Sequence, residues 1–169
     1  MDRRHNAGFA PVGALKDSFM NLILWRHAEA EDGDDDMARQ LTRRGRRQAE
    51  MAAAWLGRHA PEDMQILVSP AVRTRQTADA LNRDYTLVPD IAPGASPDLV
   101  LASAGWPLNG QTVLVVGHQP TLGQAASILL AGTTLDWTLK KGGIWWLGRR
   151  QRDEDFQVVL RAVVNPEFL

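Results

Sequence analysis

The sequence predicts an α/β protein: a three-layer sandwich around a mostly parallel sheet, with a hairpin at its C-terminal side. Three observations predict it. Short apolar runs at Asn21–Trp25, Gln65–Val68 and Thr112–Val116 alternate with segments of helical period, the pattern of parallel strands joined by crossover helices. Two of these runs lead straight into a histidine, as Trp25-Arg26-His27 and as Val116-Gly117-His118. The tail then changes character, with Ile144–Leu147 and Gln157–Val164 flanking the polar stretch Gly148–Asp155 as the arms of a hairpin.

The elements follow in order. Asn21–Trp25 reads as a buried strand, and a polar acidic loop runs from Glu29 to Arg39. Thr42 is placed to cap the next helix by accepting from a free backbone N–H. Met51, Ala52, Trp55 and Leu56 recur at helical spacing, and Pro61 stops the helix near His59-Ala60. After the strand Gln65–Val68, Ser69-Pro70 gives a helix start, serine as cap and proline at the first position, for a helix over Ala71–Asn82. Leu87-Val88 reads as a short strand, Asp90–Ser96 as a loop and Pro97–Ala104 as a short helix. Thr112–Val116 is the most β-like stretch, and Gln119-Pro120 opens a helix that ends near Gly132.

Bulk properties exclude several classes. The 169 residues are 44% hydrophobic, enough for one sizeable core. A net charge of -1 gives no nucleic-acid footprint. No apolar run reaches the roughly 20 residues needed to cross a bilayer, so no membrane partner is expected. The absence of cysteine removes disulfides, thiolate metal sites and a cysteine nucleophile, and it fits a cytoplasmic location. Residues 1–19 read as a mobile arm, not a signal peptide, and residues 20–169 as the catalytic domain.

Two parallel strands ending at His27 and His118 bring both imidazoles to one sheet rim, where such sheets bind ligands. An imidazole beside a guanidinium suits attack on a phosphoryl group: one is a nucleophile, the other a fork of donors for phosphate oxygens. His27 is the candidate nucleophile, with Arg26 and Arg73 as clamps and His118, if protonated, as a further donor. Arg73 falls one turn inside a helix that begins at a strand end, where the positive terminus favours phosphate.

Arg26-His27-Ala28-Glu29-Ala30, Leu41-Thr42-Arg43-Arg44-Gly45, Ser69-Pro70 with Arg73 and Gln76-Thr77-Ala78, and Gly117-His118-Gln119-Pro120 occur in that order. Together they resemble the histidine phosphatase superfamily, the phosphoglycerate mutase-like fold, and within it the small SixA-type phosphohistidine phosphatases. The resemblance spans Met20 to Leu169. It implies transient phosphorylation of His27, a phosphate pocket of Arg26, Arg73 and His118, and no metal or other cofactor. Ala28 stands where many members carry glycine. Larger members use a glutamate on an inserted stretch as proton donor; here the stretch between Arg75 and Thr112 is short. Its acids are Asp84, Asp90 and Asp98, of which Asp90 lies nearest the expected place; Glu29 beside His27 is the other candidate donor.

Simpler readings stand beside these. A lone histidine at a strand end is usually structural, and Arg26 or Arg73 alone would pass for a surface ion-pair residue. His5 and His59 read as solvated. The acidic run from Glu29 to Asp36 lacks the sixth-position glycine of a calcium loop starting at Asp32, since Met37 stands there, and reads as solvated. Arg43, Arg44, Arg46 and Arg47 form a basic cluster at a helix start, an exposed face that could also dock an acidic partner. Trp145 and Trp146 alternate, so one belongs to the core. The leading functional reading is a phosphatase acting through phospho-His27 on phosphohistidine of a signalling protein. A phosphatase for a small phosphoester, such as a sugar phosphate or nucleotide, and a phosphate-recognising module without turnover are the alternatives. Oligomeric state is not legible.

Overall fold

The computed structural model describes residues 19–152 and 155–169. The mobile arm read over residues 1–19 therefore lies outside the described residues except for Phe19. Ten elements follow one another: β1 (Met20–Arg26), α1 (Arg43–His59), β2 (Gln65–Val68), α2 (Val72–Asp79), β3 (Thr86–Leu87), α3 (Pro97–Ser103), β4 (Thr112–Gly117), α4 (Thr121–Ala131), β5 (Ile144–Arg152) and β6 (Asp155–Val164). Single 3-10 turns occupy Asp36–Ala38, Pro89–Ile91 and Pro166–Phe168.

The six strands form one sheet in the order β3-β2-β4-β1-β5-β6. The first four are mutually parallel, and β5 and β6 add an antiparallel hairpin beside β1. Strand alternation sends side chains to opposite faces. Ile23 and Trp25 pack with Ala49, Ala52, Ala53 and Leu56 of α1 on one face. Leu22 and Leu24 pack with Val100 of α3 and Leu122, Ala125 and Ala126 of α4 on the other. This is the expected three-layer sandwich.

Local differences have physical reasons. The buried stripe of α1 is Ala49, Ala52, Ala53 and Leu56, with Met51 and Trp55 half-buried at its margin. Helix α2 is shorter than expected; Asn82 lies beyond its end with a φ of 51°, outside helical backbone. Ser69 does not hold the cap position: Ala71 does, without a side-chain bond, and the Ser69 hydroxyl meets His118 Nε2 at 2.7 Å and Ala71 N at 3.5 Å. The stretch Gly148–Asp155, read as a polar connection, is mostly strand. An antiparallel hairpin with a solvated face pairs through its backbone and needs no apolar run. Trp146 is buried against Trp55, and Trp145 faces the other way toward Trp137.

The register aligns the strand ends that matter. Arg26 pairs with Gly117, and Val68 with Val116. The residues immediately beyond are His27, His118 and Ser69. Backbone bonds hold them level, His27 N to Gly117 O at 3.0 Å and Ser69 N to Val116 O at 3.1 Å.

The start of α1 is pressed onto the loop after β1. Thr42 caps the helix by accepting from Gly45 N at 2.8 Å, and Thr42 N donates to Glu29 O at 3.0 Å. A Cβ on Gly45 would lie 1.9 Å from Glu29 O, so only glycine fits. Gly45→Ala is expected to lower stability by about 2 kcal/mol, as overpacking against fixed backbone does, with a corresponding drop in urea midpoint.

Candidate active site

His27, Ser69 and His118 each follow the last residue of one of three adjacent strands, and α2 carries Arg73 over them. The His27 and His118 rings lie 5.3 Å apart between centroids. All four side chains are buried. Arg73 lies between the imidazoles: its Nε donates to His27 Nε2 and its Nη2 to His118 Nδ1, both at 3.3 Å.

These contacts assign the tautomers, because a guanidinium only donates. His27 Nε2 must accept, so its proton sits on Nδ1 and is donated to Ala28 O at 2.8 Å. His118 Nδ1 must accept, so its Nε2–H is donated to Ser69 Oγ at 2.7 Å. His27 thus presents an unprotonated Nε2 while a fixed carbonyl holds its other nitrogen.

Burial lowers the His27 pKa to about 4, helped by the charges of Arg73 and Arg26 and opposed by the Ala28 carbonyl. Burial, the neighbouring His27 and Arg73 lower His118 to about 3. The resting pocket therefore holds His118 neutral at pH 7. The protonated form envisaged from sequence requires an added negative charge in the site.

Three side chains of the Arg73 helix and the α1 cap fix the loops around the pocket. Thr77 Oγ1 accepts from Ala28 N at 3.1 Å and donates to Arg73 O at 2.7 Å. Gln76 Oε1 accepts from Leu41 N at 2.8 Å. Thr42 and Gly45 serve structural roles. The motif residues without catalytic chemistry thus hold the chemical ones in place.

Arg26 is placed differently. It is half-buried, its Nη1 donates to Leu139 O at 2.8 Å, and it has no hydrogen bond to either imidazole among the described residues. Its Nε is buried without a hydrogen-bond partner among the described residues. It faces a groove also lined by Glu29, Arg44 and Lys140.

Neither candidate proton donor reaches the imidazoles. Glu29 Oε1 accepts from Thr42 Oγ1 at 2.9 Å, and Oε2 lies 3.6 Å from Arg44 Nη1. Asp90 is exposed in the turn after β3, which lies two strand spacings, about 10 Å, from β4 and three, about 14 Å, from β1, the strands that lead into His118 and His27.

The carboxylate that does reach the pocket is Asp36, one of the run read as solvated. Its backbone carbonyl accepts from Arg73 Nη1 and its Oδ2 from Arg73 Nη2 at 3.0 Å. Hydrogen bonds from Arg39 and Arg73 hold its pKa below the usual carboxylate range, so it is ionised at neutral pH. Nothing in the sequence separates Asp36 from its acidic neighbours; only the 3-10 turn, capped by Asp35 on Met37 N, aims it.

A three-layer sandwich with two imidazoles bracketing an arginine at the sheet rim is the arrangement of a phosphatase of the histidine phosphatase type. Residues 22–94 match the profile of the histidine phosphatase superfamily (branch 1). The phosphohistidine phosphatase SixA of Escherichia coli K12 is 32% identical over 124 residues, 68% of this chain and 77% of that protein. An uncharacterised protein of Picosynechococcus sp. is 34% identical over 165 residues, covering 89% of this chain and 99% of its own length. The structure of a protein histidine phosphatase SixA complexed with tungstate superposes with a TM-score of 0.74 at 25% identity, over 88% of this chain and 99% of that one. The chain belongs to the histidine phosphatase superfamily and is of the SixA type.

Two measurements check this geometry. Ring-nitrogen NMR should show His27 and His118 neutral at about pH 5.5, where an unperturbed histidine is mostly protonated. The sign for stability follows: the unfolded chain takes up both protons near pH 6.5, the native protein only near about 4 and about 3. Stability should therefore be full above pH 6.5 and fall as pH drops through that window, with a shallower fall in His118→Gln. Asp36→Asn removes a negative charge while keeping an acceptor. It is expected to tighten competitive inhibition by orthovanadate about fivefold, a shift of about 1 kcal/mol.

Proposed function

We propose that this phosphatase works through phospho-His27 and that its preferred substrate is phosphohistidine on a protein. His27 Nε2 attacks the phosphorus with its lone pair. The P–N bond of the substrate breaks, and the substrate imidazole keeps the electron pair. That ring, protonated by solvent at its far nitrogen, leaves as neutral imidazole. Water then attacks phospho-His27, the P–Nε2 bond breaks, and phosphate departs with the ring still held at Nδ1 by Ala28 O. Arg73 supplies the fixed donors for the phosphoryl oxygens; His118, protonated as the dianion enters, adds another, and Arg26 contributes positive charge from the neighbouring strand end.

The observation that carries the substrate choice is the state of Asp36. The carboxylate bound to Arg73 is ionised and Glu29 is engaged by Thr42, so among the described residues no carboxylic acid is ready for an alkoxide leaving group. Phosphohistidine needs none. The similarity to proteins named for phosphohistidine supports the same choice. A cytoplasmic setting is part of this reading.

Incubation with a phosphohistidine peptide should give an acid-labile phosphoryl label on the protein, and His27→Ala should abolish both label and hydrolysis. Alkyl phosphates should turn over about 100-fold more slowly than phosphohistidine, the deficit expected without general acid catalysis. Equal turnover of the two would overturn the substrate assignment, and hydrolysis by His27→Ala would overturn the nucleophile.

A further inference from the structure

Beside Arg26 the same rim of the sheet continues into a groove of about 540 Å³. Strand β5 starts at this rim and β6 ends there, since Trp25 pairs with Ile144 and Ile144 with Val164. The groove is lined by five cations, Arg26, Arg44, Arg47, Lys140 and Lys141, against two carboxylates, Glu29 and Glu167. The chain as a whole has a net charge of -1, so this positive charge is gathered locally.

Both walls are fixed. The segment carrying the lysines is tied to the end of β1 by four hydrogen bonds: Arg26 Nη1 to Leu139 O, Trp25 Nε1 to Gly142 O, Arg26 N to Gly143 O and Gly142 N to His27 O. The arginines stand on the first turns of α1, which has no acidic residue in its first turn. Cations there oppose the helix macrodipole, so the arrangement is unfavourable for the helix by itself and favourable toward an anion. Arg44 is 3.6 Å from Glu29 and Lys140 is 3.1 Å from Glu167, whereas Arg47 and Lys141 have no ion pair among the described residues.

We propose that this groove docks an acidic segment of the phosphorylated partner protein, alongside the residue whose phosphoryl group enters the His27 pocket. The inference rests on the reading of that pocket as a phosphohistidine site. Charge complementarity selects an anionic occupant. Cations drawn from three separate chain segments, β1, α1 and the stretch before β5, suit an extended acidic chain that can meet all of them.

The test uses three phosphohistidine peptides that differ in their flanks: aspartate- and glutamate-rich, neutral, and lysine-rich. Their unphosphorylated forms serve as binding probes by fluorescence anisotropy. The acidic peptide is expected to bind about tenfold more tightly than the neutral one and to show the lower KM, with the difference shrinking as salt is raised. Arg47→Glu combined with Lys141→Glu should erase the difference and leave turnover of p-nitrophenyl phosphate unchanged. The milder Arg47→Gln with Lys141→Gln should give an intermediate value. Equal binding of acidic and neutral peptides, or an acidic preference that survives the double reversal, would overturn the groove. The anisotropy arm reads the groove even where phosphohistidine is not hydrolysed, so failure of the pocket and failure of the groove are distinct results.

Discussion

A guanidinium held between two neutral imidazoles is the interaction on which the rest of the site depends. Arg73 is buried, and a buried cation without partners is strongly unfavourable. It is made tolerable by acceptors on three sides: His27 Nε2, His118 Nδ1 and the Asp36 oxygens. Burial, with help from the cation, keeps both rings deprotonated. One side chain thus orients both imidazoles, and Asp36 balances its charge.

That contact exists because of the register. The strands β2, β4 and β1 lie side by side and end level, which turns three distant stretches of sequence into one row of Ser69, His118 and His27. The helix bearing Arg73 is clasped to the loops by Gln76 and Thr77. Moving α2 would therefore move the cation and both loop anchors together.

Much of this was legible in the sequence, and the missing parts have a common cause. Apolar runs and punctuating residues revealed the parallel strands, because burial on both faces leaves little choice of side chain. Histidines after two strand ends read as neighbours because adjacent parallel strands end level, and the two rings do meet. Thr42 was legible as a cap because capping is a local matter. Ser69 reads as a cap because a serine before a proline has that local signature, and its contact with a histidine from another strand has none. Asp36 was invisible among five similar acids, since its contact with Arg73 depends on how a loop folds back. The groove face of Arg26 and the lysines opposite α1 required the hairpin to be placed before they met. The length of β5 and β6 was understated because their outer ends pair through backbone and carry polar side chains.

The stretch between β3 and β4 supplies no hydrogen bond to His27, Arg73 or His118 among the described residues, and its attachment near the rim includes the bond from Thr121 Oγ1 to Ala95 O. Extra residues grafted there would meet mainly chain entropy, which rises by only about 0.6 kcal/mol for each doubling of loop length. The scaffold is in this sense modular. Residues added in the exposed turns of that stretch leave the floor of the pocket unaltered, so substrate range can change while the chemistry beneath stays the same.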